Sequence, residues 1–169
     1  MISIRPEKSE DTAVIHQLNE QAFGRAAEAN LVAALRRNGK ILLSLVAEDN
    51  GRVVGHILFS EVVIESAENC LKGVGLAPMA VSPERQNESI GSRLVEAGLA
   101  HCRNAGYPFV VVLGHPKLYP RFGFVPASQF GLKSEYDVPD EVFLIIEIEK
   151  GSLAGFAGVA KYQPEFNEV

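Results

Sequence analysis

The sequence predicts an α/β fold, a mixed twisted sheet with helices on both faces, and three observations carry that expectation. Apolar residues recur with a period of about two in some segments and about 3.6 in others, so strands and amphipathic helices are interleaved. Three strand-like runs between Ile41 and Val81 follow one another through tight loops, the pattern of an antiparallel meander. The stretch Leu76 to Leu113 then reads strand, loop, helix, strand, a βαβ unit whose two strands must be parallel. The element order is β-α-α-β-β-β-α-β-α-β-β. A length of 169 residues suits one domain, 1–169, with a core over about 2–150 and a last strand and tail over 151–169.

Ile2 to Arg5 alternates apolar and polar, and Pro6 ends that strand. Ser9 offers a helix N-cap, with Glu10 and Asp11 suited to the positive end of the helix dipole. Val14, Ile15, Leu18 and Ala22 share one face of this helix, which runs to about Phe23 before Gly24 breaks it. A second helix, about Glu28 to Arg37, turns Leu31, Val32 and Leu35 inward and stops at Asn38-Gly39. Ile41 to Glu48 and Val53 to about Ile64 are strands joined by Asn50-Gly51, a strong type I′ turn signal.

After a polar loop, Leu71 to Val81 is the third strand of the meander, interrupted by Gly73, Gly75 and Pro78. Proline cannot donate to a sheet ladder, so Pro78 marks a bulge or an unpaired edge. A helix from about Ser89 to Asn104 buries Ile90, Leu94, Val95, Leu99 and Cys102, and Gly106 fits its left-handed cap. Phe109 to Leu113 is wholly apolar, as a central strand should be. A short helix around Lys117 to Phe122, a strand over Val142 to Glu149 and a last one within Phe156 to Tyr162 complete the reading.

Composition narrows the function. Hydrophobic residues at 47% and charged residues at 22% belong to a globular chain rather than a disordered one. No apolar run approaches the roughly 20 residues of a membrane span, and no signal-peptide pattern opens the chain, so a cytoplasmic location without membrane association is expected. Sixteen Lys and Arg against 21 Asp and Glu give a net charge of −5, without the basic stripe of a nucleic-acid binder. The two cysteines, Cys70 and Cys102, lie in no metal-ligand spacing, so no metal site is expected.

Chemistry concentrates in two places. Gln86, Asn87, Glu88, Ser89, Ile90, Gly91 and Ser92 join a strand to an amphipathic helix. Free backbone N–H groups at a helix start bind anions, Gly91 lets the backbone approach a phosphate, and Ser89 and Ser92 can donate hydroxyls. A merely well-capped helix start accounts for the same local string. Neither a lysine-bearing phosphate loop nor a triple-glycine dinucleotide turn is present. The second place is Leu118-Tyr119-Pro-Arg-Phe-Gly123-Phe124. His115 follows the strand Phe109 to Leu113 at its C-terminal end, where open α/β sheets place ligands, and its near-neutral reference pKa makes it a candidate base, or else it shapes the loop beside Pro116. Glu61 is a second base candidate.

The two motifs in this order resemble the GNAT superfamily of acyl-CoA-dependent N-acyltransferases. Gln86-x-x-Ser89-x-Gly91 follows that family's Gln/Arg-x-x-Gly-x-Gly/Ala loop, with Ser89 in place of the first glycine, and Tyr119-x-x-x-Gly123-Phe124 follows its later pattern. The run from Val112 through His115 and Pro116 to Phe124 is similar to the YhbS-like subgroup. The resemblance implies that residues 86–92 cradle the pyrophosphate of coenzyme A. It implies that strands 71–81 and 109–113 splay, so that Met79, Ala80 and Val81 present N–H and C=O groups to the pantetheine arm. It implies that Tyr119 contacts the cofactor and protonates the departing thiolate. Glu88 brings a negative charge to the loop, which Arg85 and Arg93 can offset. The resemblance also implies that Phe23, Arg25 and Glu28, at the junction of the first two helices, and Tyr136 and Asp137, in the loop before the penultimate strand, line the acceptor pocket; a plain hinge between the helices accounts equally for the first three.

The implied reaction is acetyl transfer from acetyl-CoA to a primary amine by direct attack, without a cysteine acyl-enzyme. The acceptor is a small molecule or a protein amine, and the reading allows a homodimer. Two alternatives remain, a non-catalytic acyl-CoA-binding module on the same fold and a nucleotide-binding protein using the same anion loop.

Overall fold

The structure is a computed structural model that describes all residues, Met1 to Val169. Its chain forms two compact units, Met1–Phe59 with Ala77–Gly98 and Pro164–Val169, and Ser60–Leu76 with Leu99–Gln163.

The first unit contains β1 (Ile2–Pro6), α1 (Thr12–Phe23), α2 (Ala27–Arg37) and β2 (Ile41–Asp49), together with the first part of β3 (Arg52–Glu65), the end of β4 (Cys70–Val81) and the start of α3 (Ile90–Ala105). Its strands lie in the order β1-β2-β3-β4. β1 pairs antiparallel with β2 from Ile2↔Asp49 to Pro6↔Leu45. At the turn between β2 and β3, Asn50 and Gly51 adopt φ of 50° and 80°, as a type I′ turn requires.

Strand alternation sends neighbouring β3 residues to opposite faces. Leu58 joins Ile15, Leu31, Val32, Leu35 and Val46 in a buried cluster with α1 and α2. Gly55 and Phe59 face α3 instead. A Cβ on Gly55 would lie 3.0 Å from Ile90 and Leu94, and a Cβ on Gly98 of α3 would lie 2.3 Å from the Phe59 ring. Helices therefore cover both faces of this unit's strands, as the apolar pattern predicts.

The entry to α1 differs from the expectation at Ser9. Ser9 caps nothing with its side chain and sits in a 3₁₀ turn, Ser9–Asp11, ahead of the helix. Asp11 holds the turn, accepting the Lys8 backbone N–H at 2.7 Å and pairing with Arg5 at 2.7 Å. Arg5 and that N–H keep the Asp11 carboxyl below the usual carboxylate range. Arg5 also pairs with Glu48 at 2.7 Å, which fastens the turn to β2.

One polar group lies deep in this unit. His56 of β3 is 0% exposed, with Nε2 2.9 Å from Ser44 Oγ and Nδ1 3.3 Å from Asn19 Nδ2. Asn19 also donates to the Ile15 carbonyl at 3.0 Å. Burial, with a further push from the Arg36 charge, lowers the His56 pKa to about 3.

The second unit contains the rest of β3, the start of β4, the end of α3, β5 (Phe109–Leu113), β6 (Val125–Pro126), β7 (Leu132–Ser134), β8 (Phe143–Glu147) and β9 (Gly158–Lys161). β4 and β5 pair in parallel at Val74↔Val110, Gly75↔Val111 and Leu76↔Val112. β5 pairs antiparallel with β8 along its whole length, β6 flanks β8, and β9 pairs antiparallel with β3 and parallel with β7.

Several elements depart from the sequence reading here. Gly73 and Gly75 do not interrupt β4; Gly73 makes room for the Phe109 ring, and Gly75 for the Val62 side chain and the Tyr162 ring. The expected helix over 117–122 is a single 3₁₀ turn, Tyr119–Phe122, since Pro116 and Pro120 supply no N–H for a longer ladder. β6 and β7 were not expected, being too short to show alternation. The strand expected over 142–149 is trimmed to Phe143–Glu147, because the Ile148 and Glu149 N–H groups turn to the Pro108 carbonyl at 2.8 and 3.1 Å. The two cysteines are free thiols. No helix is long and apolar enough to cross a membrane.

The buried imidazole gives a testable pH dependence. Folded His56 stays neutral down to about pH 3, whereas in the unfolded chain it takes a proton near its ordinary value of 6.5. Between those values the unfolded state binds the extra proton, so stability falls as pH falls, by up to about 1.4 kcal/mol per pH unit. Urea denaturation across this window should show the slope in the wild type and lose that component in His56→Gln, which cannot titrate.

Candidate active site

In the first unit, β4 ends at Val81, and Ser82 donates its backbone N–H to the Val54 carbonyl at 2.9 Å. A 3₁₀ turn, Pro83–Arg85, and an irregular stretch then lead into α3 at Ile90. Asn87 and Ser89 both have left-handed backbone, φ of 68° and 65°. Ser89 therefore occupies the conformation for which glycine is the favoured residue. The first helical hydrogen bond of α3 runs from the Arg93 N–H to the Ser89 carbonyl at 3.1 Å. The N–H groups of Ile90, Gly91 and Ser92 precede it and point out of the positive end of a 16-residue helix.

Gly91 brings this helix start close to β4. A Cβ there would lie 3.3 Å from Met79 Cε and 3.9 Å from Val81 Cγ2. Met79 and Val81 are partly exposed, whereas Ala80 is buried. Gln86 donates its side-chain amide to the Val81 carbonyl at 3.3 Å. Arg85 carries the loop's ion pairs. Arg85 Nε donates to both Glu88 carboxylate oxygens at 3.0 Å, and its guanidinium reaches Asp49 at 3.0 Å. Glu88 thus has the counter-charge that the sequence suggests, from Arg85.

In the second unit, Tyr119 opens the 3₁₀ turn after β5 and is 6% exposed. Burial pushes its phenol up to about 12, so it stays protonated. Phe124 meets the ring edge-on, with centroids 5.6 Å apart and planes at 76°. A Cβ on Gly114 would lie 2.2 Å from Tyr119 Cε2, so the ring occupies space that only glycine leaves. His115 is exposed, and its Nδ1 accepts the Lys117 backbone N–H at 3.4 Å, while its carbonyl accepts the Leu118 N–H at 3.1 Å. Glu61 is half-buried on β3.

Two further residues of the second unit escape the sequence reading. Tyr162, just past β9, is buried, and its pKa is raised by that burial and by the neighbouring Tyr119, Tyr136 and Glu135. Its ring lies over Gly75, where a Cβ would sit 3.1 Å from Cε1. Glu135 Oε1 accepts the Tyr162 backbone N–H at 2.9 Å. Tyr136, named from the sequence, belongs to this group, while its neighbour Asp137 is exposed. In the first unit Arg25 and Glu28 form an ion pair, Nε to Oε1 at 3.0 Å, and Phe23 is 40% exposed. No three His, Cys, Asp or Glu side chains gather in a way that would hold a metal ion.

Residues 3–127 match the acetyltransferase (GNAT) domain. The chain is 36% identical over 165 residues to the N-acetyltransferase YhbS of Escherichia coli strain K12, covering 97% of this chain and 98% of that protein. It is 40% identical over 134 residues to YjhQ of the same strain, covering 78% and 74%. The crystal structure of E. coli YhbS in complex with CoA aligns with a TM-score of 0.91 at 35% identity, over 98% of this chain and 92% of that one. A GNAT family acetyltransferase from Brucella melitensis in complex with acetyl-CoA aligns with a TM-score of 0.80 at 37% identity, over 98% of both chains. With the domain match spanning both motifs and relatives this similar along nearly the whole chain, the protein belongs to the GNAT acetyltransferase family.

Proposed function

We propose that the protein transfers the acetyl group of acetyl-CoA directly to a primary amine. The observation that carries this reading is Tyr119, a buried phenol held protonated and fixed between Gly114 and Phe124. Two relatives support the donor, one crystallised with CoA and one with acetyl-CoA.

The chain's own residues divide the work. The N–H groups of Ile90, Gly91 and Ser92 receive the pyrophosphate, with Gln86 to Ser89 forming the loop around it. Met79, Ala80 and Val81 offer backbone groups to the amide-rich pantetheine arm, as an added strand would find them. The Val81 carbonyl reaches that role by releasing the Gln86 amide. The amine nitrogen attacks the thioester carbonyl, a C–N bond forms, and the C–S bond breaks. The Tyr119 hydroxyl gives its proton to the departing sulfur and regains one from solvent. Before the attack the ammonium gives one proton to His115 at Nδ1, which gives up its 3.4 Å contact with the Lys117 N–H, and the nitrogen's second proton passes to solvent as the amide forms.

The direct test is mass spectrometry of acetyl-CoA incubated with the protein and a panel of primary amines. An N-acetylated product in step with free thiol is the expected result, and acetyl-CoA binding without turnover would favour a non-catalytic module. Tyr119→Phe should lower kcat by about 10²-fold with little change in CoA affinity. Gly91→Val should weaken CoA binding by about 10-fold or more, since its branches crowd Met79 and the anion site; isothermal titration reads this out. Ser89→Gly removes the left-handed strain at φ 65° and should raise unfolding stability by about 0.5–1 kcal/mol with CoA binding retained.

A further inference from the structure

The loop that enters α3 carries an ion network that the family's loop pattern does not assign. Arg85 precedes that pattern, and Glu88 falls on one of its unspecified positions. Arg85 Nε donates to both Glu88 carboxylate oxygens at 3.0 Å, and Nη2 donates to Asp49 Oδ2 at 3.0 Å. Asp49 ends β2, and its other oxygen takes the Met1 ammonium at 2.8 Å. A guanidinium has five N–H donors. Both donors on Nη1 of Arg85 and one on Nη2 are claimed by no protein acceptor. Glu88 stands two residues ahead of Ile90, the first residue of α3. Their Cα atoms are at most about 7.6 Å apart, so Glu88 and the fork it holds border the free N–H groups of Ile90, Gly91 and Ser92. Glu88 is the most exposed of the three charged side chains, at 45% against 27% for Arg85 and 16% for Asp49, so it is the partner that leaves at least cost.

A diphosphate arriving at those N–H groups meets Glu88 as a like charge and Arg85 as an opposite one. Both effects are settled in one move when the guanidinium exchanges the carboxylate for the phosphate, which offers the fork the same paired oxygens. The Glu88 carboxylate then turns to solvent, and Asp49 keeps the guanidinium at the loop. We propose that Arg85 is a phosphate-contacting residue of the coenzyme site and that Glu88 is its internal competitor, so that coenzyme binding exchanges one anion for another on a single guanidinium. This assignment rests on the reading above that sets the pyrophosphate at the start of α3.

The test is isothermal titration of CoA and 3′-dephospho-CoA into the wild type, Arg85→Gln, Glu88→Gln and the double variant. The stoichiometry reads the folded fraction, so the Kd values compare folded protein. Arg85→Gln should weaken both ligands by about 10-fold, because both carry the pyrophosphate. Glu88→Gln should tighten both by about 3-fold, and by more at low salt. In the Glu88→Gln background Arg85 has no carboxylate at residue 88 to neutralise, so Arg85→Gln should still cost about 10-fold there. Loss of that cost in the double variant overturns the assignment, since Arg85 would then act only by masking Glu88. A loss confined to CoA overturns it too, because the contact would be with the 3′-phosphate, as does an unchanged Kd in either single variant. A wild type that binds neither ligand defeats the coenzyme reading and this assignment with it. The expected shifts without thiol release from acetyl-CoA and any amine defeat the acyl-transfer reading alone.

Discussion

The constraint on which the rest depends is the path of β4. Up to Leu76 its edge is hydrogen-bonded to β5, in a parallel register that ends at Leu76↔Val112, one residue before β5 itself ends. Two residues later Pro78 brings no N–H to offer a neighbour. β4 nevertheless runs on to Val81 and delivers the chain to the start of α3. Its last residues thus carry backbone groups beyond the reach of that parallel ladder, and buried or half-buried backbone groups need partners.

Both units are shaped by omission as much as by contact. In the first, Gly55 and Gly98 let α3 and Phe59 approach closely, while His56, Ser44 and Asn19 place hydrogen-bonded polar groups beneath α1. In the second, Gly73 admits Phe109, Gly75 admits Tyr162 and Gly114 admits Tyr119. A Cβ at Gly73 or Gly114 would overlap a ring and one at Gly75 would overlap the Val62 side chain, so the value of these glycines lies in the volume they leave empty.

The element order was legible because long segments carry clear periodicity: α3 shows its stripe of Ile90, Leu94, Val95 and Leu99, and β5 its unbroken apolar run. The anion loop and Tyr119 were legible because each lies within one short string next to a recognisable element. What stayed hidden depends on pairings distant in sequence. Glu135 and Tyr162 meet because β7 pairs with β9, and neither strand is longer than four residues. Ser9 looked like a cap because of its residue type, but Asp11 holds the turn through Arg5, a partner reached across the turn. Gly73 and Gly75 looked like interruptions because a sequence does not display the ring that will lie over them.

The empty space at Gly114 has a consequence for how relatives of this chain are compared. A tyrosine at the position of Tyr119 could be kept by a protein whose phenol points elsewhere, because the residue type says nothing about where its ring rests. The glycine is more informative: any side chain there would begin 2.2 Å from Cε2, so the ring could not rest where it does. Among homologues, the pairing of the two residues should therefore mark retained acid chemistry better than the tyrosine alone, and a bulkier residue at the glycine position should flag a member whose phenol has been released for another task.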